Sequence, residues 1–162
     1  MNQSQIPVAR DLMADKLVTL TPDMPAMKAA HILLDNNISG GPVTDGDGKL
    51  LGVLSEFDCI REVAARQYHE DFDSVYTVRD VMTGDVRTIS PDTDLFGVAH
   101  ELVTHRIRRL PVVENGKVIG QISRRDVFRA LCKFLDKSAT SERTYPDYPE
   151  GREPIRSYPK AH

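Results

Sequence analysis

The feature that most constrains this chain of 162 residues is that a large part of its sequence occurs twice. Residues 10–61 align with residues 79–129 with a single gap, and 18 of the 51 aligned positions are identical. A repeat of this length is one supersecondary unit that buries its apolar face against its neighbour. The fold must therefore contain the same elements twice, in the same order.

Each copy predicts the same order of elements: a short strand, a helix, two strands and a second helix. The first strand falls at residues 18–20 and again at 87–89. Apolar residues then recur at helical spacing over 26–34 and 95–103. Two short apolar segments follow, separated in the first copy by the turn-forming residues 45–48, which is typical of a β-hairpin. Each copy is thus predicted to be a β-α-β-β-α unit.

A unit of about fifty residues is marginal alone, because small domains bury proportionally less of their surface. We therefore predict a mixed α/β (α+β) body in which two copies, at 8–66 and 78–136, face one another and share a core. Residues 67–77 form the linker between them. Residues 137–162 are rich in Pro and Tyr and lack periodicity, so we expect this tail to be extended or disordered.

Composition argues against several classes of protein. The formal net charge of −3 is unlike that of a general nucleic-acid binder. No segment approaches the ~18 apolar residues of a membrane span, and residues 1–5 lack the pattern of a secretory signal. Cys59 and Cys132 are too far apart for a disulfide framework or a metal cluster, and we expect both to pack as small apolar residues. We therefore expect a cytoplasmic protein with no membrane segment and no metal site.

The sequence shows no arrangement typical of an enzyme. It contains no Ser-His-Asp or Cys-His order, no P-loop and no zinc-binding spacing. We therefore expect no catalytic residues and no required cofactor. The last predicted helix is apolar on two faces, which predicts two packing partners, the core and a second subunit.

A Gly-x-x-Ser-x-x-Asp motif closes the hairpin of both copies. It places Ser55 and Asp58 in the first copy and Ser123 and Asp126 in the second, each time where a strand gives way to a helix. Ser followed three residues later by an acid is a capping box, which only stabilises the helix. The same junction offers free N–H groups to an anion, a carboxylate to sugar hydroxyls and a glycine that permits close approach. Both interpretations stay open from the residues alone.

The two copies differ in charge, because the first sums to −3 and the second to +2. The excess of cations lies mostly in residues 105–111, where the first copy has Asn, Ser and Gly instead. Arginine forks suit phosphate oxygens, and Arg108 and Arg109 directly precede a strand that should enter the core, so both are candidate ligand residues. For Arg106 we favour a solvated basic face, and nucleic-acid binding through residues 106–109 is kept as an alternative.

The order of motifs resembles a known family. A Met-Thr opening at residues 82–83, a Ser/Thr-Pro-Asp start, a Pro-Val strand and the Gly-x-x-Ser-x-x-Asp close, found in order, make residues 8–136 similar to a tandem pair of cystathionine-β-synthase (CBS) domains, a Bateman module. The resemblance implies two repeats about a pseudo-two-fold axis, with two clefts between them. It also implies a non-catalytic module that binds an adenosine-containing ligand such as AMP, ADP, ATP or S-adenosylmethionine.

We recognise no further domain, so the resemblance implies a stand-alone module that acts through a homodimer or on a regulated protein in trans. The alternative is a structural protein-interaction module whose pockets are degenerate and whose Ser-Asp motifs only cap helices.

The resemblance also assigns site residues. In the family the motif Asp holds the ribose hydroxyls, the motif Ser lies by the ribose and phosphate, the opening strand borders the adenine, and the residues before the Pro-Val strand face the base or phosphates. Each pocket combines the motif of one repeat with the other segments of its partner repeat. One expected nucleotide-binding pocket therefore contains Ser55, Asp58, Thr88, Ile89, Arg108 and Arg109, and the other contains Ser123, Asp126, Val18, Thr19, Ser39 and Gly40.

Overall fold

A computed structural model describes residues 6–67 and 76–138. The expected linker at 67–77 and the expected tail at 137–162 lie mostly outside these ranges. Within them the order of elements is the same in both halves of the chain. The elements are α1 (Ala9–Leu12), α2 (Ala26–Asp35), β1 (Gly40–Thr44), β2 (Leu50–Ser55), α3 (Glu56–Gln67), α4 (Val78–Val81), α5 (Leu95–Thr104), β3 (Arg109–Glu114), β4 (Lys117–Ser123) and α6 (Arg124–Ser138).

Each half contains one antiparallel hairpin, β1–β2 or β3–β4, with a register shift after Val43 or Val112. The predicted first strand is reduced in each half to one parallel bridge, in which Leu20 pairs with Val43 and Ile89 with Val112. A proline follows two residues later in both copies, and a proline has no N–H to continue a ladder. The mixed α/β class and the paired helix-and-hairpin units are as predicted.

The two repeats exchange their opening helices. Val78 and Val81, from α4 at the start of the second repeat, are buried in the core of the first repeat. Conversely, Ala9 from α1 is buried in the core of the second repeat, with Leu12 and Met13 packed against it. Each core therefore contains side chains from both repeats, so the two copies form one body.

Backbone pairing fixes the chain where it leaves each opening helix. Thr83 forms an antiparallel bridge with Val53 of β2, and Ala14 forms the corresponding bridge with Gln121 of β4. Both hydrogen bonds of the Thr83–Val53 bridge measure 3.0 Å. Each hairpin thus gains a short third segment from the other repeat.

The motif glycines make room for these crossings. A Cβ on Gly52 would lie 2.7 Å from the carbonyl oxygen of Thr83 and 2.8 Å from the sulfur of Met82. At the equivalent Gly120, a Cβ would overlap the side chain of Met13. The structure therefore gives these two glycines a role in the contact between repeats, whereas the sequence had suggested close approach of a ligand.

The last helix divides its apolar residues between the core and the surface. Val127 and Ala130 of α6 are buried in the second core, whereas Phe128, Cys132 and Leu135 are exposed. The expectation that Cys132 is buried is wrong, because it lies on the second apolar face of this helix. Cys59 is partly buried against the first core, and burial raises the pKa of its thiol, with a further contribution from the Asp58 carboxylate.

We expect Gly52→Ala to lower the free energy of unfolding by about 1–3 kcal/mol, as overpacking of a tight contact does. The clash falls partly on a backbone oxygen, which cannot move without shifting the Thr83–Val53 bridge. Urea denaturation measures the change. Gly84→Ala is the matched control, because a Cβ there meets nothing within 4 Å; equal stability of the two variants would contradict the prediction.

Candidate functional site

Both Ser-Asp motifs form reciprocal caps at the start of α3 and α6. The backbone N–H of Ser55 donates to Asp58 Oδ2 at 2.9 Å, and the N–H of Asp58 donates to Ser55 Oγ at 3.3 Å. Ser123 and Asp126 repeat the arrangement at 3.0 and 3.3 Å. In each motif the Ser hydroxyl also donates to Oδ2 at 2.5 Å. The cap uses one carboxylate oxygen, Oδ2, so the other oxygen, Oδ1, remains for different donors.

In the first repeat Oδ1 of Asp58 is occupied by groups that join the two repeats. The hydroxyl of Thr83 donates to it at 3.2 Å, and Nη2 of Arg61 lies 3.1 Å from it. Arg61 also donates to the carbonyl oxygen of Val81 at 3.3 Å, and its guanidinium lies 5.9 Å from the ring centre of Phe57. The side chain of Asp58 is only 6% exposed. This carboxylate therefore links α3 to the start of the second repeat through buried oxygens, and we call this contact the buried joint.

In the second repeat Oδ1 of Asp126 is more open. Nη1 of Arg129 donates to it at 3.4 Å, and the Asp126 side chain is 29% exposed. Ala14 occupies the position that aligns with Thr83, and alanine has no hydroxyl to donate. The two motifs are therefore alike in their caps and different in their surroundings.

Arg109 crosses from the second repeat to the first. Its Nη1 donates to the carbonyl oxygen of Gly40 at 2.9 Å, and its Nη2 donates to Ser39 Oγ. Partial burial lowers the pKa of the Arg109 guanidinium, and the carboxylates of Glu56 and Asp126 oppose that shift. The resemblance places Arg109 in the pocket of Ser55 and Asp58, whereas its hydrogen bonds go to Gly40 and Ser39, which belong to the other expected pocket.

The remaining arginines of this region are arranged differently. Arg106 and Arg108 are exposed. The carbonyl oxygen of Arg108 accepts from the N–H of Arg124 at 3.0 Å, and Nε of Arg124 donates to the carbonyl oxygen of Ile107 at 2.8 Å. Arg124 is therefore held against its own repeat. Of the two neighbouring arginines at the start of β3, Arg108 is exposed and Arg109 is partly buried.

The segments expected as first strands, at 18–20 and 87–89, carry both exposed and buried side chains. Thr19 and Thr88 are exposed, and Val18 is partly buried, with its carbonyl oxygen 2.7 Å from where a Cβ on Gly41 would lie. Ile89 is only 6% exposed and belongs to the second core. The Ile89 side chain therefore faces this core, because alternation along an extended segment turns it away from the side of Thr88. A contact between the Ile89 segment and a ligand stays a prediction.

Three residues in these networks were missed from the sequence: Arg61, Thr83 and Glu56. Arg61 had a signal, because it aligns with the identical Arg129. For Thr83 the signal was a difference instead: it aligns with Ala14, although the residues just before it are nearly the same in the two repeats. In the described parts of the chain, no group of three or more His, Cys, Asp or Glu side chains is placed to hold a metal ion. No helix there is long and apolar enough to span a bilayer.

Two repeats that exchange opening helices, each closed by a capped Ser-Asp motif, define a tandem CBS pair. The CBS domain family model matches residues 9–65 and residues 78–133, which is more than half of the chain. The chain therefore belongs to the CBS domain family.

Solved structures of CBS pairs are similar to this chain over most of its length. The CBS domain pair of protein MJ0100, solved in complex with 5′-methylthioadenosine and S-adenosyl-L-methionine, is 26% identical with a TM-score of 0.69, and the match covers 80% of this chain and 98% of that one. CBSX2, solved in complex with AMP, is 28% identical with a TM-score of 0.70 and the same two coverages. Similar CBS pairs thus bind adenosine-containing molecules.

Curated relatives include longer proteins. The uncharacterized protein MJ1225 of Methanocaldococcus jannaschii is 29% identical over 122 residues, which is 75% of this chain and 42% of that protein. A second relative from the same organism, L-aspartate semialdehyde sulfurtransferase, is 27% identical, and the match covers 78% of this chain and 24% of the enzyme. The chain therefore spans less than half of the length of these two relatives.

The two motif carboxylates are expected to contribute unequally to stability. Asp126→Ala removes a cap and should cost about 1 kcal/mol of unfolding free energy. Asp58→Ala also removes the buried acceptor of Thr83 and Arg61, and it should cost about 2–3 kcal/mol. Chemical denaturation of both variants beside the wild type measures the difference, and equal losses would contradict the buried joint at Asp58.

Proposed function

We propose that this chain is a non-catalytic regulatory module that senses an adenosine-containing ligand, such as AMP, ADP, ATP or S-adenosylmethionine, between its two CBS repeats. The observation that carries the proposal is the pair of Ser-Asp motifs, each at a helix N-terminus with one carboxylate oxygen outside the cap. The adenosine-containing molecules bound by two similar CBS pairs support it. No enzymatic step and no required cofactor are proposed.

The proposed contacts follow from the chemistry of a nucleotide. A motif carboxylate accepts hydrogen bonds from the ribose hydroxyls, which are strengthened because the acceptor is charged. The guanidinium groups at the start of β3 meet phosphate oxygens, and the exposed opening segments border the base. The residues proposed for these roles are Ser55, Asp58, Thr88 and Arg108 in one cleft, and Ser123, Asp126, Val18, Thr19, Ser39, Gly40 and Arg109 in the other.

Signalling is proposed to use the contact between repeats. Arg109 holds Ser39 and Gly40 of the first repeat in this structure. A ligand phosphate that recruits Arg109 competes with those hydrogen bonds and shifts the population of arrangements of the two repeats. In the proposed function, a regulated protein responds in trans by binding one arrangement of the repeats in preference to the other. The proposed location is the cytoplasm, where adenine nucleotides are abundant. Nucleic-acid binding through residues 106–109 has less support, because Arg109 is already engaged within the chain.

We expect isothermal titration calorimetry to detect binding of at least one of AMP, ADP, ATP and S-adenosylmethionine. Arg109→Ala should weaken AMP about tenfold, or about 1.4 kcal/mol, and should change the affinity for adenosine much less, because adenosine lacks the phosphate. Lys133→Ala on the exposed part of α6 is the control. Affinities weaker than millimolar for all four ligands would instead favour the protein-interaction module.

The homodimer is proposed to form through the exposed apolar faces of α3 and α6. Ile60 and Phe128 occupy aligned positions on these helices and are 66% and 68% exposed. Apolar side chains recurring on one helix face in both repeats favour burial by a two-fold symmetric partner, because an isologous interface uses the same patch twice. The patch also contains Phe57, Val63 and Leu135.

Phe128→Glu should convert the dimer to a monomer, because it places a charge in the apolar interface. Multi-angle light scattering after size-exclusion chromatography measures the mass. Lys133→Glu, also on α6, controls for the added negative charge and should leave the dimer intact. A wild-type monomer at tens of micromolar, or a dimeric Phe128→Glu variant, would refute this interface.

A further inference from the structure

We infer that the two clefts are unequal and that the adenosine ligand binds at Asp126, while the Asp58 cleft is closed by a joint between the repeats. The inference rests on the proposed function and deepens it by assigning one binding site per chain. The difference in how the two carboxylates are occupied originates in one pair of aligned residues, Thr83 and Ala14.

The first argument concerns acceptor capacity. An ionised carboxylate has about four lone-pair sites. Asp58 already accepts from the N–H and hydroxyl of Ser55 and from Thr83, and it pairs with Arg61. Ribose hydroxyls that approach this carboxylate must displace one of those donors and leave it without its partner.

Asp126 has the capacity that Asp58 lacks. It accepts from the N–H and hydroxyl of Ser123 through Oδ2. Nη1 of Arg129 donates to Oδ1 at 3.4 Å, a longer contact than those that Thr83 and Arg61 make with Oδ1 of Asp58 at 3.2 and 3.1 Å. The Asp126 side chain is also more exposed than the Asp58 side chain. Ribose hydroxyls therefore meet a more accessible acceptor here than at Asp58.

The second argument concerns the cation. Arg109 is the register partner of Ser123 in the β3–β4 hairpin, whereas Gly40, without a side chain, is the register partner of Ser55. Burial lowers the pKa of the Arg109 guanidinium, and the carboxylates of Glu56 and Asp126 both oppose that shift, so Arg109 lies near acidic groups of both repeats. A carboxylate for the ribose and a guanidinium for the phosphate thus belong to the same cleft.

A third observation lies on the same strand. In the part of the chain that the structure describes, the side-chain oxygen Oε1 of Gln121 is buried without a hydrogen-bond partner. Gln121 and Ser123 are two residues apart on β4 and so share one face of it. A ligand hydroxyl or amino group is the kind of donor that satisfies such an acceptor. The aligned residue in the first repeat is Val53, whose side chain has no hydrogen-bond acceptor.

Exchanging the aligned residues Thr83 and Ala14 tests the cause of the inequality directly. Thr83 and Ala14 form equivalent bridges, with Val53 and Gln121. The backbone is therefore alike at both positions, and the chemical difference is the side chain, whose hydroxyl binds Asp58. Moving that hydroxyl from one repeat to the other should move the closed cleft with it.

The experiment is calorimetry on the full chain with AMP and with S-adenosylmethionine as probes, supported by native mass spectrometry. The wild type should bind one molecule of the better probe per chain. Ala14→Thr should weaken that site about tenfold or more, since its hydroxyl occupies Oδ1 of Asp126. Ala14→Val, which has the same shape without the hydroxyl, should weaken it much less.

The reciprocal exchange opens the other cleft. Thr83→Ala should raise the stoichiometry from one towards two, whereas Thr83→Ser, which keeps the hydroxyl, should leave it at one. Asp126→Asn should remove the wild-type site. Melting temperatures of all variants confirm that each is folded before it is titrated, and Ala14→Thr tests the inference if Thr83→Ala proves unstable.

The outcomes separate this inference from the proposed function. Two equivalent sites in the wild type, full affinity in Asp126→Asn, or equal effects of Ala14→Thr and Ala14→Val would overturn the inequality while leaving a nucleotide sensor in place. Failure of the wild type to bind either probe at millimolar concentration would overturn the sensor itself, and this inference with it.

Discussion

The structure depends on the exchange of opening helices between the two repeats. Neither hairpin-and-helix unit completes its own core, because each uses apolar side chains that precede the other unit in the chain. The proposed clefts depend on this exchange, because it joins the two repeats into one body. The motif glycines, which the exchange requires to be small, belong to the same motifs that supply the candidate ligand residues.

In the proposed function, the capped Ser-Asp motif serves both helix stability and ligand recognition. The cap consumes Oδ2 and the hydroxyl of the serine, and it fixes the orientation of the carboxylate. A carboxylate held by its own helix is pre-organised, so little side-chain entropy is left to lose when a ligand binds. Capping and the proposed ligand binding are therefore compatible, because the cap uses Oδ2 and leaves Oδ1 for other donors.

The sequence was informative where structure is local. Periodicity located α2 and α5, the turn residues located both hairpins, and Ser55 and Ser123 marked the starts of α3 and α6, all because short-range chemistry decides these features. The resemblance to CBS domains is confirmed by the family match.

Long-range features escaped the sequence. The exchange of α1 and α4 is set by which surfaces meet after the chain has crossed between repeats. The hydrogen bonds from Arg109 to Ser39 and Gly40 join residues about seventy positions apart, and no pattern within either segment predicts such contacts. Cys132 was misplaced because α6 is apolar on two faces and only packing decides which one is inward. The roles of the pocket residues stay predictions.

The exchanged helices also bear on how the two copies can diverge after duplication. A substitution in the opening segment of one repeat changes the hydrogen bonds of the Ser-Asp motif in the other, as the pair Thr83 and Ala14 illustrates. The two copies therefore constrain each other's sequence changes: the Thr83 hydroxyl adds a hydrogen bond between the repeats, and alanine at the equivalent position leaves Asp126 without that donor. Asymmetry between the halves is then a route by which a duplicated fold divides labour without adding a domain.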